Sequence, residues 1–129
     1  MITELRVRYK ETDRMGVAYY GNYFTWFEVA RTEFFRASGF PYEAIEKNGF
    51  RVMVVKATCS YKSPVTYDDL LKIETNIRNI KNTSLDFIYT IYMGKTLVAR
   101  GETTHVFTNE NCKPVKIPEE LKRPLTALT

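Results

Sequence analysis

Four successive runs between residues 51 and 108 place an apolar or small side chain on every second position, and that period of two constrains the fold more than any other feature. The runs cover 51–62, 69–80, 84–93 and 96–108. In the first, Met53, Val55, Ala57, Cys59 and Tyr61 share a face. Leu71, Ile73, Thr75 and Ile77 do so in the second, and Leu85, Phe87, Tyr89 and Ile91 in the third. The fourth aligns Leu97, Ala99, Gly101, Thr103, His105 and Phe107. The opposite faces are polar, as in Lys72, Glu74, Asn76 and Arg78, so each run reads as a strand with one buried side. The connections "KNTS" and "MGKT" have the length of tight turns, which makes the last three strands an antiparallel meander. A fifth strand is expected at 3–10, where Leu5, Val7 and Tyr9 alternate with Arg6, Arg8 and Lys10.

One helical segment is available to cover that sheet. Tyr23, Phe27, Ala30, Phe34 and Ala37 recur at spacings of four and three, with Phe24, Trp26 and Phe35 widening the stripe. Asn22 reads as its N-cap, and the helix runs to about Ser38, closed by Gly39 and Pro41. Residues 42–48 add a short second turn. A helix of about 17 residues is ~25 Å long, and strands of about 9–11 residues span ~30–36 Å. The expected architecture is therefore α+β, one long helix lying along a five-stranded antiparallel sheet, in a single domain over residues 1–129. Ala57, Ala99 and Gly101 are small enough to let the helix approach closely. One helix does not cover five strands and two open edges, so a second copy is expected to pair with this one.

The 44% hydrophobic and 26% charged composition is that of an ordinary globular chain and argues against disorder. The apolar runs fall short of the ~18 residues that signal a membrane span, so none is expected. "MITELRVRYK" enters a strand pattern directly, with no secretory core, and Cys59 and Cys112 make a thin disulfide framework; the expected compartment is cytoplasmic. The net charge of +4 is spread without blocks, so no nucleic-acid partner is expected.

The inventory of reactive groups is short. His105 is the single histidine and lies mid-strand, where a hydrogen-bonded core role outweighs a catalytic one. No catalytic triad, metal-ligand set or phosphate-binding glycine loop is present in the sequence, so neither metal nor cofactor is expected. What remains is "ETDRMGVAYYGNY", residues 11–23, which sets Asp13 on a glycine-containing loop just ahead of the apolar helix. A helix start presents unpaired N–H groups and partial positive charge. Such donors polarise a thioester carbonyl, and a neighbouring carboxylate attacks it or activates water. A thiol leaves readily as thiolate, so this cleavage needs no strong acid. The alternative for Asp13 is an Asx-turn that stabilises the loop.

The stretch "RVRYKETDRMGVAYYGNYFTWFEVARTEFFRASG", followed by "YKSPVTYDDLLKIETNI" and "NTSLDFIYTI", resembles hotdog-fold acyl-CoA thioesterases of the 4-hydroxybenzoyl-CoA thioesterase type, over residues 4 to about 121. The resemblance implies a helix wrapped by an antiparallel sheet, subunits joined edge to edge as a homodimer that assembles to a homotetramer, and active sites at the interface. It places the catalytic aspartate at Asp13 and the carbonyl-polarising backbone N–H at Tyr20, with Tyr9 near the site. Where many relatives read "VVYHGNY" this chain reads "VAYYGNY", which leaves no imidazole at Tyr20. Contacts to the CoA part of the substrate fall on Lys81, Thr83 and Ser84, which otherwise read as ordinary hairpin-turn residues. The implied function is hydrolysis of acyl-CoA, with acyl-carrier protein as a second carrier. Its rivals are a non-catalytic module that binds acyl-CoA or acyl-carrier protein, and a hydratase, which would need a histidine beside the carboxylate.

Overall fold

The computed structural model describes residues 1–128; Thr129, the last residue of the expected domain, lies outside them. The elements in chain order are β1 (Ile2–Arg6), a 3-10 turn (Tyr9–Glu11), α1 (Asn22–Ala37), α2 (Tyr42–Lys47), β2 (Arg51–Tyr61), β3 (Leu70–Arg78), β4 (Ser84–Met93), β5 (Thr96–Thr108) and α3 (Glu119–Ala127). The five strands form one sheet in the order β1-β3-β4-β5-β2, every neighbouring pair antiparallel, with β1 and β2 on the edges. The expected helix-on-sheet α+β architecture is what the chain adopts.

The inward faces of β3 and β4 are those the alternation predicts, and Leu71, Ile73, Leu85, Phe87, Tyr89 and Ile91 are fully buried. Against them α1 buries Tyr23, Trp26, Phe27, Ala30, Phe34 and Phe35. Each large apolar side chain buried this way contributes roughly 1.5–3 kcal/mol. Phe27 stacks on Tyr89 with ring centroids 4.4 Å apart and planes 12° from parallel. That contact needs Gly101 beneath it, because a Cβ built there would lie 2.3 Å from the Phe27 ring. A polar seam crosses the same core: Arg31 Nη1 donates to Tyr89 Oη at 3.1 Å, Tyr89 Oη meets Thr103 Oγ1 at 2.7 Å, and Thr103 Oγ1 meets His105 Nε2 at 2.8 Å.

Four expectations are corrected. β1 ends at Arg6, and Val7 exchanges backbone bonds with Asp68 and Asp69, so the chain turns away before Tyr9. Tyr9 therefore does not face inward; it is 76% exposed and packs edge-on against Tyr67. Asn22 is the first helical residue rather than the cap, a place held by Gly21, and its amide donates to the Glu11 carbonyl at 2.8 Å. In β2 a bulge between Val54 and Lys56 switches the faces. Val52 and Val54 oppose the inward Phe107 and His105, while Ala57, Cys59 and Tyr61 oppose Thr103, Gly101 and Ala99, so Met53 and Val55 are not on the inner face. The fourth is α3, which the sequence reading leaves out and which buries Leu121 and Leu125.

Although it faces inward, Val54 is 50% exposed, so part of the inner face of the edge strand β2 is left in solvent. No helix among the described residues is long and apolar enough to cross a membrane.

Candidate active site

Residues 11–19 form a small hairpin in front of α1. Tyr19 N–H donates to the Glu11 carbonyl at 2.8 Å, Thr12 and Ala18 form an antiparallel bridge, and Asp13 N–H donates to Val17 at 2.9 Å. Gly16 closes the loop at φ +80°, a conformation that favours glycine. Ala18 N–H then ties the hairpin to Val65, in the connection between β2 and β3, at 2.8 Å. The half-buried Asp13 accepts the Met15 N–H on Oδ1 at 2.8 Å, so the Asx-turn is real. Its Oδ2 has no hydrogen-bond partner among the described residues.

The hairpin delivers the chain to the start of α1. Tyr20 and Gly21 are the residues just before the helix, and no acceptor among the described residues takes either backbone N–H. These donors carry the positive end of the helix dipole. The Tyr20 carbonyl accepts the Tyr61 hydroxyl at 3.0 Å, so the end of β2 pins the residue whose N–H is free. A cleft of about 260 Å³ opens there, lined by Tyr20, Tyr23, Tyr61, Lys62 and Ser63 among others. Burial, with Cys59 adding to it, pushes the Tyr61 hydroxyl up to about 12, so it stays a donor through the neutral range. Burial also pushes the Cys59 thiol up, against the opposing hydrogen bond to Tyr61, so Cys59 is not poised as a nucleophile. Tyr19 is held up first by its hydroxyl contact with Tyr20, and the Asp13 charge adds to this.

The structure sets Asp13 on the hairpin and Tyr20 at its exit, one residue past the Tyr19 N–H that closes it onto Glu11. It does not bring Lys81, Thr83 and Ser84 to that place within one chain. β3 starts beside the Asp13 loop, through Val7 N–H to Asp69, and its nine residues run to Arg78 before the 81–84 turn. At a rise of ~3.3 Å per residue the turn lies ~30 Å away, at the far end of the sheet. There its backbone is occupied: Thr83 and Asn82 carbonyls accept Phe107 and Ile117, and Lys81 N–H donates to Ser84. His105 is also remote from the hairpin chemistry, fully buried in the core seam, and burial drives its imidazole down to about 3.

One residue of the hairpin escapes the sequence reading. Glu11 is 3% exposed, and its carboxylate accepts Arg8 N–H at 2.7 Å, Trp26 Nε1–H at 3.0 Å and the Arg8 guanidinium at 3.2 Å. Burial pushes Glu11 up, but these three donors outweigh it and hold the carboxyl below its usual range. The available signal is Trp26 on the buried stripe, since a buried indole N–H needs an acceptor.

Comparison with known proteins agrees with this geometry. The family model described as thioesterase-like superfamily matches residues 7–125. The acyl-CoA thioester hydrolase YbgC of Escherichia coli O157:H7 is 34% identical over 119 residues, covering 91% of this chain and 89% of that protein. Among solved structures, a hypothetical protein from Aquifex aeolicus superposes with a TM-score of 0.94 at 36% identity, covering 97% of this chain and 98% of the other. A DHNA-CoA thioesterase from Staphylococcus aureus does so with a TM-score of 0.91 at 32% identity, covering 98% of this chain and 91% of the other. A sheet wrapped on one helix, an aspartate hairpin at the helix start and matches that span nearly the whole chain lead to one assignment: the chain belongs to the thioesterase-like superfamily and has its hotdog fold.

Proposed function

We propose that this chain is a cytoplasmic acyl-CoA thioesterase, acting as a single domain over residues 1–129, that cleaves acyl-CoA to the free acid and CoA. The observation that carries the reading is Asp13 on a hairpin that leads directly into the start of α1, where the N–H groups of Tyr20 and Gly21 have no acceptor among the described residues. The thioester carbonyl oxygen accepts from Tyr20 N–H at the positive end of α1, where charge developing on that oxygen is stabilised. Asp13 then either attacks the carbonyl carbon, giving a mixed anhydride that water opens, or takes a proton from the attacking water. Either way the C–S bond breaks, CoA leaves as thiolate, and its low basicity removes the need for a strong acid. Label from oxygen-18 water found in Asp13 after one turnover marks an anhydride opened at the Asp13 carbonyl, and trapping with hydroxylamine detects one that water opens at the acyl carbon, so the two measurements together separate the routes.

A homodimer through β2, assembling to a homotetramer, belongs to the same reading. An edge strand with inward-facing apolar side chains left in solvent favours pairing with its own copy. Antiparallel pairing of two β2 strands about an axis near Lys56 sets Tyr61 of one chain opposite Arg51 of the other. The start of β2 lies beside the end of β5, where Phe107 binds the Thr83 carbonyl. Lys81, Thr83 and Ser84 of the second copy then stand near the cleft of the first, available to the CoA moiety. Tyr9, exposed and tied to the hairpin through Thr12 N–H to its carbonyl at 3.1 Å, is a further contact for substrate at the mouth of the same site.

The test follows thiol release from short, medium, long-chain and aromatic acyl-CoAs and from an acyl-carrier protein thioester, comparing wild type with Asp13→Asn. Wild type is expected to turn over at least one class and the variant to lose ~10²-fold or more of that rate. Binding without release by wild type would refute the enzyme and favour a binding module.

A further inference from the structure

Glu11 is the most heavily engaged carboxylate among the described residues, and nothing in the proposed chemistry uses it. Its side chain joins the chain entering the hairpin, through Arg8 N–H at 2.7 Å, to the second turn of α1, through the Trp26 indole at 3.0 Å. Its backbone carbonyl accepts two further donors, Tyr19 N–H at 2.8 Å and the Asn22 amide at 2.8 Å. Glu11, two positions before Asp13, therefore accepts five hydrogen bonds. They reach each element that sets where Asp13 stands relative to Tyr20 and Gly21: the incoming strand, the returning strand at Tyr19, the helix start at Asn22 and the helix body at Trp26. The Arg8 guanidinium at 3.2 Å balances the charge at the outer side, while the carboxylate itself is shut away from water.

We propose that Glu11 is a positioning residue for catalysis: it locks the Asp13 hairpin onto the first turns of α1 and so fixes the distance between the carboxylate and the carbonyl-polarising N–H groups. This rests on the thioesterase reading above. A carboxylate is required because both of its oxygens only accept. Oε1 takes Arg8 N–H, and Oε2 takes both Trp26 Nε1–H and the guanidinium. An amide of the same shape must turn an NH₂ toward one of these donors, whichever way it is flipped. The hairpin then shifts on the helix while the cleft lined by Tyr20, Tyr23 and Tyr61 keeps its walls. Displacements of ~1 Å at a reacting group reduce rates by up to ~10²-fold.

The experiment measures kcat and KM separately, at a temperature where circular dichroism finds each variant folded. Glu11→Gln is expected to lower kcat by ~10-fold or more while KM stays within about twofold, as for an interaction realised only in the transition state. Asn22→Ala, which removes one bond to the same residue and leaves the carboxylate intact, is expected to lower kcat in the same way but less. In the Asp13→Asn background, Glu11→Gln is expected to cost less than about twofold more, because a residue acting through Asp13 has nothing left to position. An unchanged kcat in folded Glu11→Gln overturns the proposal, as does a full additional loss in the double variant. If wild type releases no thiol from any substrate, the thioesterase reading and this proposal fail together, an outcome distinct from an active wild type with an equally active Glu11→Gln. For a variant too unstable to assay, Asn22→Ala decides: an unchanged kcat there also overturns the proposal.

Discussion

Replacing Gly101 with alanine tests how closely α1 is seated on the sheet. Gly101 lies in the middle of β5 outside the left-handed region of backbone space, so alanine meets no backbone penalty there. The added methyl carbon would stand 2.3 Å from Cε2 and Cζ of Phe27 and 3.2 Å from Cδ2. Ordinary contact begins at 3.4 Å, so the ring and the strand must separate by about an ångström. Phe27 has little room to yield, since it is stacked on Tyr89 at 4.4 Å and flanked edge-on by Phe24 at 5.9 Å. Overpacking of this kind destabilises a core by about 1–3 kcal/mol, and the rigid ring places Gly101→Ala at the upper end. With a urea m-value of about 1–3 kcal/mol/M, the midpoint falls by roughly 1 M. The assay is urea unfolding followed by circular dichroism at one fixed protein concentration, because self-association adds to apparent stability. Phe27→Leu in the same background vacates the contested space and is expected to recover part of the loss. A single variant within ~0.5 kcal/mol of wild type, or a double variant whose losses simply add, would refute the reasoning about seating.

Glu11 makes stability sensitive to acid. Its folded carboxyl titrates below the unfolded value, so its contribution is complete above the unfolded value and is lost as pH falls through the folded one. The urea midpoint of wild type should therefore drop as pH falls below about 4.5, and that of Glu11→Gln should drop less over the same descent. Tyr61→Phe removes the hydroxyl that holds the Tyr20 carbonyl, and a loss of about 0.5–1.5 kcal/mol in thermal or urea unfolding is expected. An unchanged stability in that variant would mean the bond is not made in solution. Val54→Lys places a charge on the bare inner side of β2; sedimentation should give smaller particles than wild type, while unchanged particle size would exclude pairing through this edge.

The parts of the fold legible in the sequence are those whose period is undisturbed. β4 and β5 run 84–93 and 96–108, as alternation predicts, and α1 follows from its aromatic stripe almost to the residue. Alternation fails at β2 because Val52, Met53, Val54 and Val55 are all apolar, so a bulge among them leaves no mark on the pattern. It fails at Tyr9 because the strand is ended by backbone bonds to Asp68 and Asp69, partners about sixty residues away. α3 had its signals, Pro118 followed by two glutamates and leucines four apart, but Pro124 within it argues against a helix. At the site, the glycine-containing loop that carries Asp13 is legible ahead of the apolar helix, and the Asx-turn offered for it is the one that forms. Glu11 is not, since its meaning lies in the Trp26 indole fifteen residues on. The 81–84 turn is legible in residue type but not in place: only the length of β3 reveals that it lies at the far end of the sheet from the hairpin of its own chain.

The seam through the core has a direction. Arg31 can only donate, so the Tyr89 oxygen receives from it and sends its own hydrogen to Thr103. Thr103 in turn passes its hydrogen to His105 Nε2, which must then be the bare nitrogen, with the ring hydrogen on Nδ1. That hydrogen is directed toward the Val52 backbone, in a contact too poorly aligned to count as a full hydrogen bond. The four groups behave as a row of compass needles set by the guanidinium at one end: each orientation dictates the next, and no member can reverse alone. The one histidine of the chain is therefore held in the core seam by the polarity of Arg31, buried within the sheet and away from the hairpin at the start of α1.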